Sequence, residues 1–299
     1  MSAVGSILNL MDTEAVDESV RARPAPALRP YVAGYTGYRQ ERVAPGLHRG
    51  LPSPWLTLIF TLDDPLTVSR HPDPRQAPGT YDTVLGGLHT RPALISHDGR
   101  QSGIQLAVRP LGARALLGLP AGELADTDVP ADAVLGPVAA SARERLRDAA
   151  TWRRRFAVLD EVLLSLLRRE AVAPPAPEVV RAWWLLMRGG GAVPVAALAE
   201  DVGWSARHLS ARFRRETGLG PKTAARVIRF DRARRQLMSP GAVPSVVPRL
   251  AEIAAVHGYF DQAHLAREFR SLAGCPPSRW LAEEFRNVQV PGPPARRGW

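Results

Sequence analysis

The chain has 299 residues, which is long enough for two domains, and a formal net charge of +10. Residues 178–299 hold 19 Lys and Arg against 10 Asp and Glu, whereas residues 1–177 hold 20 against 19. The single cysteine, Cys275, excludes an intrachain disulfide, and no apolar run reaches the about 18 residues of a membrane span. We expect a cytoplasmic protein without a secretory signal, whose basic second half is suited to binding phosphate groups.

The first 23 residues are acidic after Met11 and are predicted to be a flexible leader. Residues 24–171 are predicted to form a β-rich domain, because short apolar runs are separated there by Gly, Pro and Asp. This pattern is typical of an antiparallel barrel or sandwich. The predicted strands are Tyr31–Tyr38, Trp55–Leu62, Asp82–Leu88, Ala93–His97 and Gly103–Val108.

Three helical segments follow, near Gly112–Leu117, Val138–Asp148 and Trp152–Arg169. The last carries an apolar stripe at helical spacing between Phe156 and Leu167. This stripe either packs on the sheet of its own domain or forms a dimer interface, and the sequence leaves both open. Residues 172–178 are rich in proline and are predicted to be a stiff linker.

Four histidines in this half raise the question of a metal site, but none forms the His-x-His or His-x3-His pair that strand-borne metal sites supply. The sequence also lacks a nucleophile elbow and a phosphate-binding glycine loop, so we predict no catalytic residue, metal or cofactor. If the sheet forms a cup, a ligand pocket with apolar walls and a few polar groups is expected there. Its candidate residues are Trp55, Phe60, Tyr81, His89 and Arg91, although core packing explains Trp55 and Phe60 equally well.

One helix-turn-helix pattern occurs twice between residues 195 and 284. Gly203 and Gly258 stand in the two turns, where a positive φ is needed, and a small alanine precedes each by four residues. Ser205 and Asp261 follow at the N-cap of each second helix. Gly203 and Gly258 are 55 residues apart, whereas the equivalent residues that follow the turns, such as Ser205 and Asp261, are 56 apart. The second turn therefore has one extra residue.

Each second helix has an inward face, formed by Leu209 and Phe213 in the first copy and by Leu265 and Phe269 in the second. At roughly 100° per residue, the opposite face carries arginine, alanine and polar residues. Arginine can pair with guanine, glutamine with adenine, and alanine can contact a thymine methyl group. The pattern therefore predicts two helices that enter the major groove of DNA.

A long helix beginning at Pro221 is predicted between the two copies, with a buried stripe formed by Val227, Phe230, Ala233 and Leu237. The segment 239–250 after it contains three prolines, which are not expected to continue a helix. Residues 287–299 are predicted to be a disordered tail.

Residues 181–285 resemble the DNA-binding domain of the AraC/XylS family of bacterial transcription regulators. Besides the paired motifs, Arg229, Arg234, Arg235 and Leu237 are close to that family's signature in the connecting helix. The resemblance implies an α+β protein, with an N-terminal β-rich barrel or sandwich that is often cupin-like and has flanking helices. A C-terminal all-α domain, residues 179–286, would contain two helix-turn-helix units joined by one long helix.

The resemblance also implies roles for residues. Base contacts are expected from Arg207, Ser210, Ala211, Gln262, Ala263, Ala266 and Arg267. Phosphate contacts are expected from Arg214, Arg226, Arg232 and Arg270.

Double-stranded DNA is the expected partner, and a small-molecule effector, RNA polymerase and a second copy of the chain are further candidates. The N-terminal half matches the family only in layout. Its Pro-x-Pro-x-Leu-Arg-x-Tyr segment at residues 24–31 and its Arg-Pro-x-Gly-Ala segment at residues 109–113 resemble an uncharacterised actinobacterial module. It would sense a small molecule or dimerise. Two alternatives stay open: a regulator whose N-terminal half is a protein-interaction module, and an architectural DNA binder without sequence preference.

Overall fold

Two antiparallel β-sheets form the N-terminal part of the chain in the computed structural model, which describes residues 15–167, 172–238 and 246–287. The strands are β1 (Val16–Ala22), β2 (Val32–Glu41), β3 (Gly46–Gly50), β4 (Leu56–Thr61), β5 (Leu66–Arg70), β6 (Gly79–Tyr81), β7 (Thr83–Gly86), β8 (Ala93–His97), β9 (Gln101–Val108) and β10 (Asp128–Pro130). The larger sheet has the order β1-β2-β9-β4-β7-β10, and the smaller has the order β3-β8-β5-β6. The predicted β-rich N-terminal domain is therefore confirmed, with its strands in two sheets.

Strand β4 shows how the alternation of side chains builds both faces of the larger sheet. Leu58 and Phe60 are buried on the face that the helices cover, in the main core. Ile59 points to the other face and packs with Val68 and Ile95 of the smaller sheet. The five runs predicted from the sequence correspond to β2, β4, β7, β8 and β9.

The prediction of a flexible leader was wrong for residues 16–22. They form β1, which pairs with β2 along its whole length, from Val16 opposite Glu41 to Ala22 opposite Tyr35. Most of its side chains are exposed, so the hydrophobic pattern of a half-buried strand is missing. Its position depends on backbone pairing at the edge of the sheet, which the side chains do not reveal.

Four helices cover the larger sheet: α1 (Ala113–Leu117), α2 (Asp132–Leu135), α3 (Pro137–Asp148) and α4 (Trp152–Leu167). In α4, Phe156 stacks on Tyr35 of β2 with ring centroids 6.0 Å apart. Asp160 accepts hydrogen bonds from the Tyr35 hydroxyl at 2.9 Å and from the Ala25 amide at 3.0 Å. The stripe of α4 is thus buried on its own sheet, as the first of the two alternatives predicted, and is not free to form a dimer interface.

The C-terminal part has helices joined by short turns and no strand among its described residues. Its helices are α5 (Pro177–Arg188), α6 (Val195–Asp201), α7 (Ala206–Thr217), α8 (Pro221–Leu237), α9 (Val246–Val256), α10 (Gln262–Ala273) and α11 (Pro277–Asn287). Helix α8 is the predicted connecting helix, and all four residues of its stripe are buried. None of the described helices is long and apolar enough to cross a membrane.

Four predicted segments fall partly outside the described residues, and the first is the leader, of which residues 1–14 are not described. Residues 168–171, before the predicted linker, are not described, and α5 already begins at Pro177. Residues 239–245 and the tail from residue 288 also lie outside. Pro248, which was expected not to continue a helix, lies in the first turn of α9. A proline is tolerated there because the first amides of a helix have no partner within it.

Candidate nucleic-acid interface

The turns of the two helix-turn-helix units have the same backbone geometry. Gly203 has a φ of +70° and Gly258 a φ of +71°, in the left-handed region that a side chain disfavours. The residue after each glycine donates a hydrogen bond from its amide to the carbonyl oxygen of the small alanine in the first helix. Trp204 donates to Ala199 at 2.9 Å, and Tyr259 donates to Ala254 at 2.9 Å. The prediction that glycine is needed in both turns is confirmed.

Each second helix has a side-chain cap at its start. The Ser205 hydroxyl accepts a hydrogen bond from the His208 amide at 3.2 Å, and the Asp261 carboxylate accepts one from the His264 amide at 2.6 Å. These bonds satisfy amides that would otherwise lack a partner. Both N-caps agree with the sequence prediction, and they mark α7 and α10 as the equivalent helices of the two units.

The inward faces of α7 and α10 are fully buried. Phe213 packs 5.7 Å from the ring of Trp183 on α5, and Phe269 packs 5.0 Å from Phe230 on α8. Burial of these faces turns the opposite sides outward. Of the predicted base- and phosphate-contacting residues on these helices, Arg207, Ala211, Arg214, Ala263, Arg267 and Arg270 are exposed, and Ser210, Gln262 and Ala266 are half-buried.

The two predicted phosphate contacts on α8 differ in their surroundings. Arg226 is half-buried, and its Nε lies 2.6 Å from the Glu268 carboxylate on α10. Its guanidinium also approaches the Ser271 hydroxyl at 3.5 Å. Arg226 therefore joins α8 to α10, a role that the sequence did not indicate because Glu268 lies 42 residues away. Arg232, in contrast, is exposed.

The N-terminal domain contacts the first unit at the C-terminal end of α7. Arg114 of α1 donates two hydrogen bonds to the Glu216 carboxylate, at 2.8 and 3.0 Å. Beside this pair, the backbone of Gly122 lies so close to α7 that a Cβ there would be 2.2 Å from the Arg215 carbonyl oxygen. The close backbone approach and the buried carboxylate together form a tight contact.

The second unit is contacted at the corresponding end of α10. Arg49 of β3 donates to the Glu283 carboxylate on α11 at 2.6 and 3.2 Å and to the Ala273 carbonyl oxygen at 3.4 Å. Gly274, which ends α10, faces Arg49 and Pro92. In the first unit the equivalent residue is Gly218, 56 residues earlier, and it faces Ala125.

Both α7 and α10 are therefore held by the N-terminal domain at their C-terminal ends. Arg207 at the N-terminal end of α7, Ala263 at that of α10 and Arg267 in the middle of α10 stay exposed. Sequence reasoning missed this arrangement, because its residues are 102 and 234 positions apart and have no motif in common.

The contact with the second unit is expected to weaken in acid. The pKa of Glu283 lies below its ordinary value, chiefly because Arg49 donates to its carboxylate, whereas burial opposes the shift. A lowered carboxyl pKa stabilises the folded state above the pKa of the unfolded chain, about 4.3, and this stabilisation is lost as the pH falls through the folded-state pKa. Urea unfolding should show that the difference between wild type and Arg49→Ala shrinks from pH 7 to pH 3.

A suitable control is Arg279→Ala, because Arg279 donates to the same carboxylate but its side chain is 66% exposed. We expect it to have little effect at either pH. A difference between wild type and Arg49→Ala that stays constant over this range would contradict the role given to Arg49.

The five residues suggested as a ligand pocket have different surroundings. Phe60 is buried in the core, and Trp55 lies under the guanidinium of Arg109 at 5.2 Å. The Tyr81 hydroxyl is 3.2 Å from His71 Nε2. His89 Nδ1 donates to the Arg91 carbonyl oxygen at 2.5 Å.

A cavity of about 550 Å³ opens elsewhere, between the two sheets, and none of these five residues lines it. Its walls include Tyr38, Thr61, His97, Arg100 and Ser102. Both ring nitrogens of His97 are buried without a hydrogen-bond partner.

The histidines of this half have different surroundings. His71 is buried, and its Nδ1 lies 2.7 Å from the Asp128 carboxylate, so that Nε2 is left to accept from Tyr81. His48 lies at the surface, 3.7 Å from Glu284. Within the described ranges, no group of three or more His, Cys, Asp or Glu side chains could hold a metal ion.

Cys275 is buried, which raises the pKa of its thiol.

Two family models match parts of the chain. One, described as a helix-turn-helix domain, matches residues 198–283. The other, described as a domain of unknown function (DUF6597), matches residues 20–130. The search of curated proteins found no match.

Solved structures also resemble the chain. ToxT from Vibrio cholerae O395 is 12% identical, with 86% of this chain and 98% of that chain covered and a TM-score of 0.50. The C-terminal domain of AraT, a response regulator from Geobacillus stearothermophilus, is 21% identical, with 40% and 92% covered and a TM-score of 0.33. The likeness to ToxT shows a shared fold. The family match, together with the geometry of α6 to α10, identifies residues 198–283 as a helix-turn-helix domain.

Proposed function

We propose that the chain recognises a specific DNA sequence by placing α7 and α10 in successive major-groove faces, about one helical turn apart. The observation that carries this proposal is the exposure of Arg207 at the N-terminal end of α7, and of Ala263 and Arg267 on the outward face of the equivalent helix α10. Recognition helices contact base edges with their N-terminal residues. The N-terminal domain holds both helices at their other ends and leaves these arginines accessible.

Within this proposal, Arg207 and Arg267 pair with guanine, and Gln262 with adenine. Ala211, Ala263 and Ala266 lie against thymine methyl groups, and Ser210 supplies a hydroxyl. Arg214, Arg270 and Arg232 contact phosphates and fix the register. Arg226 is better suited to holding α8 against α10, since its guanidinium already pairs with Glu268.

The N-terminal domain, in our proposal, sets the relative position of the two units. Its support is the pair of contacts that reach equivalent ends of α7 and α10 from α1 and β3. A domain that contacts both units restricts the distance between them. The spacing of the two DNA blocks would depend on that distance. A small molecule or a second copy of the chain is then the signal that alters this arrangement.

The first test is a selection from random duplex DNA with the full chain. We expect one enriched motif with two blocks about 10 base pairs apart. Arg267→Ala should then lose about 1–3 kcal/mol of binding free energy at a single base position of one block. Binding is measured at fixed salt by titration of duplexes with each base at that position.

Arg70→Ala is the matched control, because Arg70 is an exposed arginine of the N-terminal domain. It should leave the base preference unchanged. An equal loss on all sequences with Arg267→Ala would favour the architectural binder and overturn the base contact. Failure to enrich any motif would overturn the proposed function itself.

A further inference from the structure

The extra residue of the second turn is Phe260. Up to Trp204 and Tyr259 the two units correspond residue by residue, with the same amide bonds back to Ala199 and Ala254. The correspondence resumes one residue later in the second unit, at the N-cap residue Asp261. Phe260 therefore has no counterpart in the first unit.

Phe260 is 92% exposed, the highest value among the large hydrophobic side chains that the structure describes. Burial of such a side chain stabilises a protein by about 1.5–3 kcal/mol, and here that stabilisation is not obtained within the chain. Its neighbour Tyr259 is buried, so the turn has room for one aromatic ring in the core and turns the second one outward. A single exposed apolar side chain is ordinary on a protein surface, and its location decides whether it has a function.

The backbone at Phe260 is held in place although its ring is free. The Phe260 amide donates to His264 Nδ1 at 3.2 Å, and the His264 ring packs edge-on against Tyr259 with centroids 5.4 Å apart. The Asp261 carboxylate accepts from the His264 amide in the same turn. These contacts fix the point from which the phenyl ring projects.

That point is the N-terminal end of α10, next to Gln262 and Ala263. Residues at this end of a recognition helix reach base edges in the major groove. A phenyl ring can neither donate nor accept a conventional hydrogen bond, so it contributes nothing to reading guanine or adenine edges. The apolar group that B-DNA presents in the major groove is the thymine C5 methyl, and phenylalanine is among the side chains that contact it.

We propose that Phe260 is a specificity-determining residue of the second unit, whose ring covers a thymine methyl group at the edge of the second DNA block. The proposal rests on the proposed function and refines it. It gives the second unit an apolar contact that the first unit, without the extra residue, does not make.

The test uses the duplex that the full chain selects. Each thymine of the block bound by α10 is replaced in turn by deoxyuridine, which removes the methyl group and keeps the base pair. The block bound by α10 is the one whose preference changes in Arg267→Ala. Thymines contacted by Ala263 or Ala266 should respond in wild type and Phe260→Ala alike. At the thymine that Phe260 covers, wild type should bind the deoxyuridine duplex about fourfold more weakly, as expected for one buried methyl group.

Phe260→Ala should bind the original duplex more weakly and should no longer distinguish thymine from deoxyuridine at that position. Phe260→Leu, which keeps an apolar side chain, should retain part of the preference. Deoxyuridine in the first block serves as the control, because it should affect wild type and Phe260→Ala equally.

An unchanged response of Phe260→Ala to deoxyuridine throughout the second block would overturn the inference and leave the proposed function intact. Absence of a selected motif with wild type would overturn both. The folding of the variant is checked by its urea unfolding curve.

Discussion

Replacement of Phe269 by alanine is expected to lower the free energy of unfolding by about 3–5 kcal/mol. Phe269 is fully buried, and its ring lies 5.0 Å from Phe230 on α8 and 5.4 Å from Trp280 on α11. The change leaves a cavity where three helices of the second unit meet, and the surrounding helices cannot all move inward to fill it. Urea unfolding followed by circular dichroism measures the loss.

The chain offers a matched control nine residues away. Phe260→Ala removes the same group of atoms from a position that is almost fully exposed, and we expect a change within about 0.5 kcal/mol. A loss below about 1 kcal/mol for Phe269→Ala would contradict the packing described for α10. A large loss for Phe260→Ala would contradict its exposed position.

Arg114→Ala is expected to cost about 3–5 kcal/mol, because it leaves the Glu216 carboxylate buried without its cation. The side chain of Glu216 is only 8% exposed, and both of its oxygens accept from Arg114. Since Arg114 itself is 20% exposed, water partly replaces the lost cation, and the lower end of that range is expected. The measurement is again urea unfolding of the full chain at neutral pH.

Arg181→Ala is the control for this prediction. Arg181 also donates two hydrogen bonds to one carboxylate, that of Asp201, at 2.9 and 3.0 Å. That pair is exposed, however, and such pairs contribute about 0–1 kcal/mol. Equal losses in the two variants would mean that burial does not distinguish them, and the contact between the N-terminal domain and α7 would then be weaker than described.

Arg114 and Arg49, which join the N-terminal domain to the two units, also allow a test of how the halves of the protein communicate. If the N-terminal domain sets the spacing of the two units, Arg114→Ala combined with Arg49→Ala should broaden the spacing between the two selected DNA blocks. The exposed pair of Arg181 and Asp201 joins α5 to α6 within the first unit, so Arg181→Ala should leave that spacing unchanged.

The two helix-turn-helix units could be predicted from the sequence because the interactions that form them are local. The positive φ of Gly203 and Gly258 concerns one residue each, and the caps of Ser205 and Asp261 join residues three apart. The buried stripe of α8 follows from helical periodicity alone. The strands with alternating or continuous apolar residues were predicted for the same reason, whereas a short strand such as β3, with the sequence GLHRG, has too little pattern to be recognised.

The amino-acid sequence is enough to predict the two helix-turn-helix units, the helix that joins them and the faces that they turn outward, since these depend on spacings of a few residues. Tertiary structure alone decided that β1 is an edge strand, that Arg226 pairs with Glu268 and that Arg49 and Arg114 hold the second and first units. Such pairs join residues 42 to 234 positions apart. Charges of opposite sign are common along the chain, and only the packing of sheets and helices brings particular ones together.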